Sequence, residues 1–364
     1  MKDQSGSIIF IDDESAVLSS LRRALRSRLR DWELVFEQSP ERALEQVQSI
    51  RPWVVVAEKR MLPMDGAELL SRVKHLQPDA VRVILSADTS EGTALTPLES
   101  AHILLPKPFD IDLLTATIER AACLRHFALS DQVRREIGSL QTLPVLPATY
   151  RRLVEYVEST DDVDSDRVAA LISQDVAVLS KLVQLANSPF WGYRTQVYSA
   201  RDAVVRLGLD LVRKVVLSVG LFVTDVAEGE HAGLLTRAER VAEKSLLLAR
   251  ESGRSRAQVE QAYFTGLLHN IGELVELGGK TGLSADTLGA FLLQLWGFEQ
   301  SLVDSLRYQS DPLAQPQPAV QTCQLYIARR LLEAESGNVA PEALLASLDP
   351  DLLECAALPS DYRS

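Results

Sequence analysis

The sequence predicts a multidomain protein in which an α/β domain, a doubly wound five-stranded parallel sheet, is followed by an all-α helical bundle. Three observations carry this. The chain has 364 residues, more than twice the roughly 150 that usually share one core. Its first 110 residues alternate short β-rich runs with amphipathic stretches. From Leu143 onwards that alternation gives way to helical periodicity.

The elements come in order along the chain. "SIIFI" (residues 7–11) reads as a strand, and Val17, Leu18, Leu21, Leu25 and Leu29 then recur at helical spacing. "ELVFEQ" is a second strand. Ser39-Pro40 after it supplies an N-cap and a proline at the first helical position, opening a helix through Val47. "WVVVA" is the third strand, residues 66–76 a helix, "VRVILS" the fourth strand, residues 90–100 a weaker helix and "HILL" the fifth strand. Strands alternating with helices imply a parallel sheet covered on both faces, with functional residues gathered outside the carboxyl ends of the strands.

At those ends stand Asp12 and Asp13 after the first strand, Glu58 after the third, Ser86 after the fourth and Lys107-Pro108 after the fifth. Clustered acids hold a hard divalent cation such as magnesium through oxygen, while a lysine and a hydroxyl grip a phosphoryl oxygen. Singly, each reads equally well as a solvated loop residue; together, in this order, they form a set. The segments "FIDDE", "EKRMLPMDG", "ILSAD" and "LLPKPFD" resemble the receiver domain of two-component response regulators, a flavodoxin-like fold, over residues 1–122. The resemblance implies an acidic pocket at Asp12 and Asp13 with Mg2+ as its cofactor, Ser86 as switch hydroxyl, His102 as switch aromatic and Lys107 as phosphate-sensing lysine. It also implies a signalling partner, either a sensor kinase or a downstream regulator.

Glu58 falls where that family has its phospho-accepting aspartate. A glutamate is one methylene longer and carries one negative charge, against up to two for a phosphoryl group. It either mimics the phosphorylated state permanently, attracting Lys107, or marks a degenerate site in a docking module. Phosphotransfer to Glu58 itself is the less favoured reading, because the attacking oxygen is displaced and reaction geometry is unforgiving at the ~1 Å level.

Residues 110–142 contain no internal proline and no glycine before Gly138. Leu114, Ile118, Ala121, Ala128, Val133, Ile137 and Leu140 form an approximate helical stripe there, which predicts a connecting helix continuing the last helix of the first domain. It lacks a sustained heptad repeat, so intrachain packing is favoured over a coiled coil, with a homodimer through this helix as the alternative.

Beyond it, "SDRVAALISQDVAVLSKLVQLANS" holds too many apolar positions for one exposed face and predicts largely buried helices. Pro144 and Pro147 punctuate the start of this region, Gly192 and Gly208 break it, and "PLAQPQP" is a loop near its end. The Leu185–Gly192 and Ala203–Gly208 segments, with "YFTGLLHNIGEL" and "GAFLLQLWGFEQSLVDSLRYQSDP", resemble the HDOD domain, an HD-related helical bundle. On this reading the HDOD domain spans 143–335 and a helical tail 336–364. HD hydrolases hold metals with several histidines and aspartates. Here the name-giving pair is degenerate, His269-Asn270. Only His231 and His269 occur after residue 126, Lys244 stands near the expected upstream histidine, and Tyr308-Gln309 replaces a downstream pair. A neutral amide ligates metals poorly, so no metal is expected in this domain and His269 reads as a structural histidine. The expectation is a non-enzymatic signalling regulator; a metal-dependent cyclic-dinucleotide phosphodiesterase is the alternative. The HDOD resemblance also implies a link to cyclic di-GMP signalling.

Composition narrows the partners. A net charge of −12 and a pI near 5.0 disfavour direct nucleic-acid binding. Cys123, Cys323 and Cys355 are odd in number and form no CxxC, consistent with reduced thiols and a cytoplasmic location. The charged "MKDQSGSIIFIDDE" does not read as a secretory signal, and "VVLSVGLFV" is too short to span a membrane. "GGKTG" fails as a phosphate-binding loop because Leu274 stands where glycine is needed. The run Arg22, Arg23, Arg26, Arg28 and Arg30 reads as a solvated face or an acidic-partner contact. Phe190, Trp191 and Tyr193 read as packing or as a ligand platform.

Overall fold

The computed structural model describes residues 6–87, 100–108, 110–127, 129–139, 152–157, 164–193, 195–219, 228–276, 283–337 and 339–359. The predicted helix at 90–100 except its last residue, Ala128, Leu140 and the prolines at 144 and 147 lie outside them. The chain divides into two compact units, Met1–Gln141 with Asn187–Thr195 and Gln294–Gly297, and the remainder.

In the first unit, β1 (Ser7–Ile11), β2 (Glu33–Glu37), β3 (Val54–Glu58), β4 (Val81–Ser86) and β5 (Ile103–Pro106) form one sheet in the order β2-β1-β3-β4-β5. Every pairing is parallel. β1, β3 and β4 are buried along their whole length, as strands covered on both faces must be. The helices are α1 (Ser15–Leu25), α2 (Pro40–Ile50), α3 (Gly66–Leu76) and α4 (Ile111–Ala122). α2 begins as expected, with Ser39 Oγ accepting from Arg42 N–H behind Pro40. Asp65 caps α3 in the same way through Glu68 N–H at 2.8 Å. The arginines on and just after α1 divide: Arg22 lies over the Phe36 ring and Arg28 pairs with Asp112.

The connecting helix is not continuous, contrary to the periodic stripe. α4 stops at Ala122, Cys123–His126 tightens into a 3-10 turn, and Phe127 is extended before α5 (Asp131–Ser139) begins. Arg134 explains the break. Its guanidinium donates to the carbonyls of Leu124, Phe127 and Leu129 at 3.2, 2.7 and 3.3 Å, satisfying backbone acceptors that a continuing helix would have bonded itself. Gly138 then approaches Pro78 so closely that a Cβ would lie 2.3 Å from its carbonyl oxygen.

The second unit is helical: α6 (Ser165–Ile172), α7 (Val176–Ala186), α8 (Ala200–Leu207), α9 (Leu209–Val219), α10 (Glu228–Glu251), α11 (Arg256–Leu268), α12 (Ile271–Glu276), α13 (Ala285–Leu295), α14 (Gln300–Arg307) and α15 (Val320–Ser336). α16 (Pro341–Ala346) and α17 (Pro350–Cys355) come after them. Gly208 ends α8 at a φ of 77°, the break expected of it. The thiols of Cys323 and Cys355, distant in sequence, are neighbours at 2.7 Å within an apolar cluster of α10, α15 and α17. Among the described residues no single helix is long and apolar enough to cross a membrane.

The close turn after β3 is testable. A Cβ on Gly66 would lie 2.1 Å from the Glu58 carbonyl oxygen, and this backbone contact has no flexible side chain to yield. Gly66→Ala should lower stability by about 2–4 kcal/mol in urea denaturation. Gly233→Ala, on a helix where a Cβ meets nothing within 4 Å, should be neutral or raise it by about 0.5–1 kcal/mol.

Candidate functional site

The carboxyl edge of the sheet gathers most of the residues expected there. Asp12 follows β1, Glu58 is the last residue of β3 and pairs with Leu85, Ser86 ends β4, and Lys107 follows β5. Asp12, Glu58 and Ser86 are all buried, whereas Asp13 is exposed. The Lys107 ammonium lies between two carboxylates, 2.7 Å from Asp12 Oδ2 and in contact with Glu58 Oε2. Backbone bonds hold the three groups in place. Lys107 N–H donates to the Ser86 carbonyl at 2.7 Å and Lys59 N–H to the Leu85 carbonyl at 2.8 Å. The remaining carboxylate oxygens are used too: Glu14 N–H donates to Asp12 Oδ1 and Arg60 N–H to Glu58 Oε1.

Burial pulls the Lys107 pKa down, but the hydrogen bonds and charges of Asp12 and Glu58 outweigh it and raise the ammonium above its ordinary value. Lys107 is therefore a permanent cation at neutral pH. The arrangement does not fit a divalent cation. Asp12 and Glu58 each direct an oxygen at Lys107, Asp13 faces solvent, and no cluster of three metal-ligating side chains exists among the described residues.

His102 is not at this edge. It precedes β5, five residues before Lys107, and a strand rises about 3.3 Å per residue, so it lies at the amino end of the sheet. Its Nδ1 accepts from Arg82 N–H at 3.1 Å, and its Nε2 lies 2.7 Å from an Arg82 Nη. Its role as a switch aromatic beside Lys107 does not survive this placement. Sequence reasoning missed Arg82, which is fully buried on β4 and donates to the carbonyls of Ser100, Pro78, Ala80 and Gly138. Burial, against the charge of Asp79, pushes its pKa down to about 10. An arginine inside the apolar run "VRVILS" was the signal that could have found it, since a buried guanidinium demands acceptors.

In the helical unit, His269 and Asn270 occupy the α11–α12 corner, both buried. His269 Nδ1 is 2.7 Å from the Gly266 carbonyl, which can only accept, so this nitrogen carries the proton. Asn270 donates to the Leu234 carbonyl at 2.7 Å. Gln309 donates to the His269 carbonyl and to Asp286, both at 2.8 Å. Lys244 pairs with Glu335. The side chain of His231 lies outside the described residues. In the Asn187–Thr195 segment, which belongs to the first unit, Phe190 is buried and meets Trp191 edge-on at 5.0 Å, while Tyr193 is half exposed beside Gly192.

Residues 8–119 match the response regulator receiver domain and residues 143–279 the HDOD domain. The chain thus carries a response regulator receiver domain at its amino-terminal end and an HDOD domain after it. An uncharacterized protein of Treponema pallidum (strain Nichols) is 28% identical over 293 residues, 70% of this chain and 57% of that protein. The DNA-binding transcriptional regulator NtrC of Escherichia coli (strain K12) is 34% identical over 132 residues, 36% of this chain and 27% of its own length. The chain therefore spans less than two thirds of either relative. Among solved structures, the MmoQ response regulator of Methylococcus capsulatus str. Bath is 23% identical with a TM-score of 0.45, covering 59% of this chain and 93% of that one.

Burial, against the Gly266 hydrogen bond, pushes His269 down to about 3 from an ordinary 6.5, with Arg329 and Arg237 acting in the same sense as burial. The unfolded chain binds its proton first, so this contribution to stability is present above pH 6.5 and is lost as pH falls towards 3. Between pH 7.5 and 5.0 the loss should be about 2 kcal/mol. Comparing urea midpoints at the two pH values, wild type should lose that much more than His269→Gln.

Proposed function

We propose that this protein is a non-enzymatic signalling regulator whose receiver is controlled by the Glu58–Lys107 pair rather than by a phosphoryl group, and whose HDOD domain is a metal-free protein-interaction module. One observation carries the reading: the lysine at the receiver's carboxyl edge is already neutralised by Glu58 and Asp12. A carboxylate in this position supplies a negative charge continuously. The HDOD resemblance associates the output with cyclic di-GMP pathways, and a kinase or downstream regulator is the partner class. In the helical domain, Asn270 and Gln309 supply amide hydrogen bonds where a hydrolase needs ligands.

Incubation with acetyl phosphate followed by intact mass should leave the wild type unchanged. An added phosphoryl group lost in Glu58→Gln would identify a switching receiver instead. Glu58→Gln should also lower stability by about 1–3 kcal/mol, because Lys107 then keeps Asp12 as its one carboxylate partner. Equal stability, with equal recovery of interacting proteins by wild type, Glu58→Gln and Glu58→Asp, would count against the charge-mimic role. Metal analysis with a phosphodiester hydrolysis assay tests the helical domain. Stoichiometric metal and turnover abolished by His269→Ala would establish a phosphohydrolase.

A further inference from the structure

The helical unit contains an open cavity of about 590 Å³ over His269, between α10, the α11–α12 corner and α15. Its charged lining is Arg237, Arg240, Arg329, Glu273 and Glu333. The carboxylates are committed to neighbours: Glu273 pairs with Arg237, and Glu333 with Arg330 at 2.5 Å. Arg240 pairs with Glu335 at 2.7 Å, which it shares with Lys244. Arg329 has no carboxylate within ion-pair distance among the described residues; it donates to the Ser310 hydroxyl at 3.2 Å.

A guanidinium carries five donors and a full charge, so one bonded to a single neutral hydroxyl at a cavity wall retains most of its capacity for an oxyanion. His269 adds a complementary group. Its Nδ1 proton is spent on the Gly266 carbonyl, so Nε2 of the neutral ring is an acceptor, and it makes no hydrogen bond among the described residues. The cavity therefore offers cationic donors at one place and a single acceptor at another. A free inorganic anion satisfies only the first. A phosphate ester bearing a hydroxyl or N–H satisfies both, and the volume is in the range of small-molecule sites, roughly 300–1,000 Å³.

We propose that this cavity binds a phosphate ester of sugar-phosphate or mononucleotide size, its phosphate held by Arg329 with Arg237 and its hydroxyl or N–H by His269 Nε2. Binding makes the domain a receptor for the ligand. That the ester is retained intact rests on the metal-free reading above; the binding itself does not.

The test uses the full-length protein in isothermal titration calorimetry with guanosine 5′-monophosphate, ribose 5-phosphate, unphosphorylated guanosine and inorganic phosphate, each titration followed by chromatography of the recovered probe. Saturable binding of one or both esters, at least tenfold tighter than guanosine or inorganic phosphate, is expected. Arg329→Gln should weaken it by about tenfold or more, the scale of one charge-assisted bond. Arg330→Gln, next in sequence but paired with Glu333, should leave it unchanged, with thermal midpoints confirming that both variants fold. His269→Gln should weaken the esters while leaving inorganic phosphate unaffected. Absence of saturable ester binding, or equal loss in Arg329→Gln and Arg330→Gln, would overturn the inference. Binding accompanied by conversion of the probe would uphold the cavity and overturn the non-enzymatic reading instead.

Discussion

One ammonium ties together three strand ends. Lys107 follows β5, yet its charge is met by Asp12 from β1 and Glu58 from β3, so the carboxyl edge closes on itself across the middle of the sheet. All three side chains are largely out of water, 17%, 2% and 9% exposed. Desolvating charges is expensive, and a buried pair holds only when geometry and further hydrogen bonds recover the cost. Here they do, through Glu14, Arg60 and the backbone of Lys107. Gly66 belongs to the same constraint. The loop after β3 must fold back over the Glu58 carbonyl to begin α3, and only a residue without a Cβ fits.

The helical unit reaches its stability with amides in the equivalent role. Asn270 and Gln309 pin the α11–α12 corner to α10 and to Asp286 through neutral donors. Neutral groups satisfy buried carbonyls without the desolvation cost of a charge. The exchange has a chemical consequence: Asn270, beside His269, is a neutral donor committed to a backbone carbonyl and not a carboxylate. The corner is left with an imidazole that has one committed nitrogen and one open one, under positive charges.

Much of this was legible in the sequence. Strand number and parallel pairing are implied by β-rich runs alternating with amphipathic stretches, and the edge residues Asp12, Glu58, Ser86 and Lys107 by their positions at or just past the ends of those runs. The helical unit showed itself by an excess of apolar positions. The features that escaped depend on contacts distant in sequence. The stripe through residues 110–142 has helical spacing on both sides of Phe127, and nothing local announces that Arg134 will bond the carbonyls of Leu124 and Phe127. His102, taken as switch aromatic from the resemblance, precedes β5 while Lys107 follows it, so the two stand at opposite ends of the strand. The cavity arginines lie on α10 and α15, some 90 residues apart, without a shared motif.

The two largely buried cations of the sheet are held in different ways at its two edges. Arg82, at the amino end, is surrounded by backbone carbonyls, which satisfy its donors but do not neutralise it; burial accordingly lowers its pKa. Backbone carbonyls cannot be phosphorylated, protonated or exchanged for another charge, and together with the His102 ring they tie Arg82 on β4 to the approach to β5 and to Gly138. Lys107 is held by side-chain carboxylates instead, and its pKa is raised. Loss of the charge at Glu58 would leave Lys107, directly after β5, with Asp12 as its carboxylate partner. The amino-edge cation is thus held mainly by backbone acceptors and the carboxyl-edge cation by charges, so a change of side-chain charge acts directly on the second.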